Sequence, residues 1–281
     1  MGKYDLYRIR LFGFAAGSIR YLCIILFVLL YGLLSLHAQA QQNESTETLE
    51  IEANGGIDWL REKKLYIARG GAVLRRGNME IQAERIEIRY DEKNTSDGAE
   101  SNNPKLARVD AFERVKIVND NLKAYGSRGA YLVERDIAQL SGHNLRLLMP
   151  DTEITAEDSL EFWRSLSQAV ARGHVVATRE QNRLSGDILV AVLDGTEGQD
   201  QKIDRLEVIG NVHISTANEI IKGNEAVYHV EAQTAKICGD VSIIKGENIA
   251  TGRCADIDME SGFATFNSGG DKPVKALIKI E

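Results

Sequence analysis

The sequence comprises 281 residues, with 34 Lys and Arg against 41 Asp and Glu, and its formal charge is −7. A hydrophobic fraction of 43% is ordinary for a soluble globular protein. With only three prolines in addition, this composition excludes a disordered tail. The negative charge argues against nucleic acid and against anionic lipid surfaces as partners.

Residues 1–40 have the pattern of a secretory signal peptide. Basic residues begin the segment, an apolar run covers residues 21–36, and small residues stand at Ala38 and Ala40. We predict export and cleavage between Ala40 and Gln41. The alternative is an uncleaved membrane anchor, although the apolar run is short for a membrane span. Cleavage removes four Lys/Arg and one Asp, which leaves 30 basic against 40 acidic residues and a charge of −10.

A repeat of about thirty residues organises the rest of the chain. It is clearest in residues 202–259, where Gly210-Asn211 is followed thirteen residues later by Gly223. Gly239-Asp240 and Gly252 repeat that spacing. Each repeat consists of two short runs in which apolar and polar residues alternate, and each run bends at a hinge. Such units stack on copies of themselves, so we predict stacked antiparallel strands in one elongated domain over residues 41–281.

Earlier repeats are less regular. Their hinges are Gly70-Gly71, Glu113-Arg114, Gly142-His143 and Gly173-His174. Polar segments near residues 91–105 and 194–201 are predicted to be loops. We expect a strand over residues 49–53, an irregular piece over 57–61, and a final edge strand within 274–280. Residues 158–170 also fit a helix, but we favour a strand because their flanks keep the register of the repeats.

Alternation places one set of apolar side chains on the inner face of the stack. This face could be a filled core, which is the usual role of an apolar stripe. It could also be an open groove for acyl chains, which an exported protein without other chemistry favours. The candidate groove residues are Met79, Ile81, Ile86, Ile88, Val115, Ile117, Leu145, Leu147, Val175, Ile188, Val190, Val212, Ile214, Tyr228, Val241, Ile243 and Ile257.

The sequence contains no constellation that supports catalysis. His143 and His174 follow hinge glycines, where a residue that tolerates positive φ is sufficient explanation, and no ligand spacing predicts a metal site. No Gly-rich phosphate loop or cofactor motif is present. Cys238 and Cys254 lie in the last full repeat, and we leave open whether they form a disulfide or two free thiols.

The repeats resemble the OstA-like family of lipopolysaccharide-transport proteins. The pattern is Ala-x-Gly-Asn/Asp-Val, about thirteen residues, then Gly/Ala-Asp/Glu/Asn-x-Ala/Ile-x-Tyr, and the resemblance covers residues 49–266. Its clearest carriers are residues 68–90, 171–192, 209–228 and 238–257. The chain departs from the family's soluble bridge component by roughly two additional repeats and by the cysteine pair.

The resemblance implies a partly open β-jellyroll in the periplasm of a Gram-negative bacterium. This jellyroll carries lipopolysaccharide between the inner and outer membranes without an enzymatic step or a cofactor. It also implies partners: an inner-membrane-anchored jellyroll, an outer-membrane barrel protein, and further copies of the chain joined head to tail. Three alternatives remain. The chain could be the membrane-anchored partner of the same export machine or a closed β-solenoid scaffold. A polysaccharide-processing enzyme would need carboxylates clustered on one face, but alternation scatters them.

Overall fold

The fold is all-β, as predicted. The computed structural model describes residues 48–91, 105–194, 202–268 and 273–279. These residues contain eighteen strands and three single-turn 3-10 segments. The predicted signal peptide with its cleavage position and most of both predicted polar loops lie outside the described residues.

The described residues form two compact units, which we call the amino-terminal unit (residues 48–171) and the carboxy-terminal unit (residues 172–279). Whether the chain is the single domain that we expected stays a prediction. The strands of the amino-terminal unit are β1 Glu50–Ala53, β2 Ile57–Leu60, β3 Leu65–Arg76, β4 Met79–Asp91, β5 Lys105–Asn119, β6 Leu122–Leu132, β7 Ile137–Ser141, β8 Leu145–Leu148, β9 Glu153–Ala156 and β10 Ser159–Trp163.

Strand β11, Gln168–Arg179, begins in the first unit and ends in the second. The remaining strands belong to the carboxy-terminal unit. They are β12 Asn182–Asp194, β13 Lys202–Ser215, β14 Ile220–His229, β15 Thr234–Lys245, β16 Asn248–Asp258, β17 Phe263–Asn267 and β18 Lys275–Leu277.

Within each unit, long strands pair antiparallel with their neighbours in the sequence, and short strands pair at the ends. In the amino-terminal unit, β1 pairs with the second half of β3 and β2 with its first half. In the carboxy-terminal unit, β17 pairs with the second half of β16 and β18 with its first half. Residues 57–60 are therefore an edge strand rather than the irregular piece that we expected.

Each long first strand of a repeat bends at two consecutive residues with positive φ. Gly210 and Asn211 have φ of 76° and 49°, and Glu113 and Arg114 have φ of 64° and 53°. The register shifts there, between Ile209 and Val212 in the pairing of β13 with β14. Such a β-bulge bends a strand, so the hinge divides each long strand into two limbs.

Left-handed backbone explains the composition of the hinges. Glycine adopts it without a Cβ clash, and Asn and Asp tolerate it better than other residues. His174 occupies the second hinge position with φ of 43°. His143 does not, because the hinge there extends over three residues and Asn144 has the positive φ of 57°.

Residues 158–170 contain a strand, a short turn and the beginning of another strand, so the helical alternative is wrong. The 3-10 turn Arg164–Leu166 ends at Ser167, which has φ of 49°. Arg61–Lys63 and Val133–Arg135 are equivalent turns that end at Lys64 and Asp136. The last two of these turns are adjacent, because the Arg164 amide donates to the Asp136 carbonyl oxygen at 3.0 Å.

Candidate functional site: the apolar inner face

In each unit, apolar side chains beyond the hinges align in a continuous row across the strands. In the amino-terminal unit this distal row is Leu74, Ile81, Ile117, Ala124, Leu147 and Ile154. In the carboxy-terminal unit it is Leu184, Ile214, Ile221, Ile243, Ala250 and Ala276. Successive members pair directly, so each distal row forms an unbroken apolar surface.

The residues that directly follow the hinges are packed much more tightly. We call them the hinge row: Val115, Leu145, Val175, Val212 and Val241, all at most 2% exposed. Small residues of the neighbouring strands make this packing possible. A Cβ added to Gly223 would lie 2.6 Å from Cγ2 of Ile237 and 3.2 Å from the Cys238 carbonyl oxygen. The corner of each bent sheet is therefore filled, whereas the distal rows include half-buried residues such as Ile117 and Ile243.

An apolar cavity of about 60 Å³ opens between the two limbs at the carboxy-terminal edge. Its lining from the distal limb includes Ile221, Ile243 and Ala250, and its lining from the other limb includes Ala264 and Phe266. Ala276 and Leu277 of the last strand complete one side. The inner face is thus accessible from this edge, in a position that no other strand of the described chain covers.

Polar residues form part of the rim of this cavity. Glu219 and Lys245 lie at the rim with an Oε1–Nζ distance of 3.2 Å. Both are largely buried, with side-chain exposures of 12% and 24%. Each charge is therefore compensated by the other, and the cavity offers ligands an apolar interior beside one fixed ion pair.

At the amino-terminal edge, aromatic side chains cover the inner face. Trp59 of β2 lies opposite Tyr66, and their rings stack with centroids 5.4 Å apart. The indole N–H donates to the Tyr90 hydroxyl at 2.9 Å, and the Arg61 guanidinium lies 4.1 Å from the Trp59 ring. Aromatic rings therefore cover the inner face at this edge, although Trp59 itself stays 49% exposed.

The seventeen candidate groove residues divide into two groups by burial. Nine are fully buried: Ile86, Ile88, Val115, Leu145, Val175, Val212, Tyr228, Val241 and Ile257. Eight are half-buried: Met79, Ile81, Ile117, Leu147, Ile188, Val190, Ile214 and Ile243. The second group contains the five candidates that belong to the distal rows, and these have the partial exposure that a ligand contact needs: Ile81, Ile117, Leu147, Ile214 and Ile243. Other members of the distal rows, Leu74, Ala124 and Ile221, are fully buried.

The prediction that the side chains of Ile188 and Val190 lie on the inner face is wrong. Leu189 is 8% exposed and pairs with the equally buried Val208, whereas Ile188 pairs with Ile209, which is 42% exposed. The register of β12 shifts between Ser185 and Ile188, and one additional residue exchanges the two faces of the strand. Sequence alternation counted across that bulge selects the wrong residues.

Several lining residues were absent from the sequence-based set. Ala250, Ala264 and Phe266 line the cavity, as do the exposed Leu277 and Ile278. The spacing of Ala250 and Ala264 from the glycines of the last repeat was a signal that could have identified these two alanines as lining residues. Nothing in the local sequence indicated that β18 pairs with β16 across residues 249–251.

On the outer face, Cys238 and Cys254 are direct cross-strand neighbours joined by a disulfide, with their Cα atoms 4.1 Å apart. Lys236 and Asp256, the next pair on the same face, form an ion pair at 3.6 Å. Among the described residues, no group of three or more His, Cys, Asp or Glu is placed to hold a metal ion. No helix in this part of the chain is long and apolar enough to cross a membrane.

Comparison with known proteins gives one family. The model of the "LptA/(LptD N-terminal domain) LPS transport protein" family matches twice, over residues 50–158 and residues 153–263. No curated protein matches the sequence. Among solved structures, the chain is similar to LptH from Pseudomonas aeruginosa, described as the LptA homologous periplasmic component of the lipopolysaccharide transport device. The identity is 15% and the TM-score 0.39, over 46% of this chain and 95% of LptH.

Proposed function

This chain belongs to the LptA/LptD amino-terminal domain family of lipopolysaccharide-transport proteins, and we propose that it is a periplasmic carrier for lipopolysaccharide. The acyl chains lie against the distal rows of the inner face, and the lipid moves without chemical change. The observation that carries the proposal is the apolar cavity between the limbs at the carboxy-terminal edge.

The distal rows match an acyl chain in their apolar character and in the direction in which they run. They run across the strands, along the stack, and consist only of aliphatic side chains. Each methylene group that leaves water for such a surface contributes about 0.8 kcal/mol. The apolar area that is buried is therefore all that holds an acyl chain along one row. No directional contact prevents the acyl chain from sliding.

The edges support proposals about partners. Ile57, Trp59 and Leu60 are exposed on β2, and Leu277 and Ile278 are exposed at β18. An edge strand with exposed apolar residues offers unpaired backbone groups and apolar area to a strand of another chain. We propose that these edges join the inner-membrane-anchored jellyroll, the outer-membrane barrel protein or another copy of this chain.

A substitution that fills the cavity tests lipid binding. Ala264→Leu places a larger side chain in the cavity, whereas Thr265→Leu makes a comparable change on the opposite face of the same strand. We expect Ala264→Leu to weaken binding of purified lipopolysaccharide about tenfold, while Thr265→Leu binds like the wild type. Thermal unfolding of both variants verifies that they are folded.

Equal binding by the wild type and both variants would contradict a role for this cavity. Absence of lipopolysaccharide binding by the folded wild type would favour the closed scaffold. The fully buried hinge rows are compatible with a scaffold, because they show that the corners of the sheet are filled.

A further inference from the structure

The outer face of the amino-terminal unit has arginines opposite arginines. Arg69 pairs with Arg85 across β3 and β4, and Arg89 pairs with Arg108 across β4 and β5. Like charges directly opposite each other destabilise a sheet. Arg69 is compensated by an ion pair with Asp58, and the other arginines depend on further carboxylates or on a ligand, in a chain whose net charge is negative.

Two cations elsewhere on the sheet are opposite carboxylates. Arg75 pairs with Glu80 at 2.9 Å, and Lys236 pairs with Asp256 at 3.6 Å. These contacts follow the ordinary rule for cross-strand charges. The arginine cluster, which comprises Arg85, Arg89, Arg108 and Arg128, has no carboxylate directly opposite any of its members.

Two carboxylates within the cluster hold part of it in place. Asp110, only 7% exposed, accepts hydrogen bonds from Arg89 at 2.9 Å and from Arg108 at 2.6 Å. The hydrogen bond to Asp110 raises the pKa of Arg108 above its usual value, so that guanidinium stays charged. Glu87 lies 3.5 Å from both Arg85 and Arg89. These contacts fix the orientation of the guanidinium groups before any ligand arrives.

One arginine has no such partner. Arg128 is exposed on β6, opposite Phe112, and its guanidinium group makes no hydrogen bond or ion pair with any of the residues that the structure describes. Arg85, Arg89, Arg108 and Arg128 stand against two carboxylates, which leaves the cluster about two positive charges in excess.

A concavity of about 360 Å³ lies at the cluster, within the range of small-molecule sites of about 300–1,000 Å³. Arg89, Arg108 and Arg128 line it together with the Phe112 ring. Gln139 and Ser141 contribute neutral polar groups. The Arg85 guanidinium lies 4.3 Å from the centre of the Phe112 ring on one side.

We propose that this concavity binds a phosphate monoester carried by a sugar or a lipid headgroup. A phosphate monoester carries about −1.5 to −2 charge at neutral pH, which matches the excess charge of the cluster. Guanidinium groups bind phosphate oxygens in a bidentate geometry. Phe112 provides an apolar surface for the carrier of the phosphate, and Gln139 and Ser141 can hydrogen-bond to its hydroxyl groups.

The proposal does not depend on lipid binding by the inner face. The cluster occupies the outer face of the same sheet, because its residues alternate with the inward Ile86, Ile88 and Val109. A substitution here leaves the cavity of the carboxy-terminal unit unchanged. The two sites can therefore fail or succeed separately.

Arg128→Gln is the direct test, because it removes an exposed charge without a structural ion pair. Arg183→Gln on β12 makes the same change at an exposed arginine outside the cluster and serves as the matched control. The full chain, purified after export, is titrated with glucosamine 6-phosphate. It is also mixed with phosphatidylcholine vesicles that contain or lack phosphatidic acid, which separates a sugar source from a lipid source.

We expect the wild type and Arg183→Gln to bind at least one phosphate probe, with affinity about tenfold lower for Arg128→Gln. Binding should also weaken with added salt. The proposal is overturned if neither probe binds, or if the two substitutions weaken binding equally, which would indicate attraction to general surface charge.

Discussion

The same position in the sheet carries different chemistry in the two units. In the amino-terminal unit, Phe112 precedes a hinge on β5 and pairs with Arg128 on β6. In the carboxy-terminal unit, Cys238 precedes a hinge on β15 and pairs with Cys254 on β16. One pair contributes to an arginine-lined concavity, and the other is a disulfide.

The inner face does not vary in this way. Val115 and Val241, which follow the two hinges, are each 1% exposed and lie at equivalent positions in their repeats. This comparison indicates that the hinge and the inner face are alike from one repeat to the next, because the packing of the sheet depends on both. The outer face is free to acquire separate chemistry in each copy.

Removal of the disulfide should have a larger effect than any other change to the residues that differ between the two units. The double substitution Cys238→Ser and Cys254→Ser should lower the free energy of unfolding by about 3 kcal/mol, the value for a closed loop of about fifteen residues. Both tryptophans, Trp59 and Trp163, lie in the amino-terminal unit. Circular dichroism should therefore report the loss more strongly than tryptophan fluorescence. An unchanged melting temperature by both methods would show that the disulfide is not needed for stability.

A smaller effect is expected at the hinges, where the two units use different residues. Gly210→Ala places a Cβ against the Asp187 carboxylate at φ of 76°, and should cost about 1–2 kcal/mol. Glu113→Gly, at the equivalent hinge position with φ of 64°, should stabilise the protein by up to about 1 kcal/mol. Chemical denaturation measures both changes. Stabilisation by Gly210→Ala, or a loss at Glu113→Gly, would contradict the explanation of the hinges.

The smallest expected effect concerns acid stability at the turns. The amide of Ser261 donates to Asp258 at 2.9 Å and holds the pKa of that carboxyl below its usual value. A lowered folded pKa contributes stability above the unfolded pKa, and this contribution is lost as the pH falls through the folded pKa. The equivalent residue of the amino-terminal unit is Leu132, which cannot titrate. Asp258→Asn should therefore reduce the loss of stability below about pH 4, whereas an unaltered pH profile of thermal unfolding would refute the assignment.

The sequence predicted the features that depend on local pattern. Alternation identified the strands, and glycine with Asn or Asp identified hinges such as Gly210-Asn211 and Gly239-Asp240. The hinge at Glu113-Arg114 was located by spacing alone, since neither residue favours positive φ.

Other features depend on register or on distant pairing, which local patterns do not encode. The bulge between Ser185 and Ile188 exchanged the faces of β12 and misplaced Ile188 and Val190. The cavity required the pairing of β18 with β16 over a long sequence separation. The arginine cluster was missed because alternation shows that Arg85, Arg108 and Arg128 are on a polar face, but not that their strands bring them together.

The most direct test of the central claim is photocrosslinking to lipopolysaccharide in cells, with the probe placed in the distal row of each unit. Ile117 and Ile243 are the distal-row positions, and their neighbours Lys116 and Ser242 on the opposite face are matched controls. We expect crosslinks from Ile117 and Ile243 and none from the controls. Crosslinks from neither distal position, with the protein folded and exported, would contradict the claim that the inner face carries the lipid.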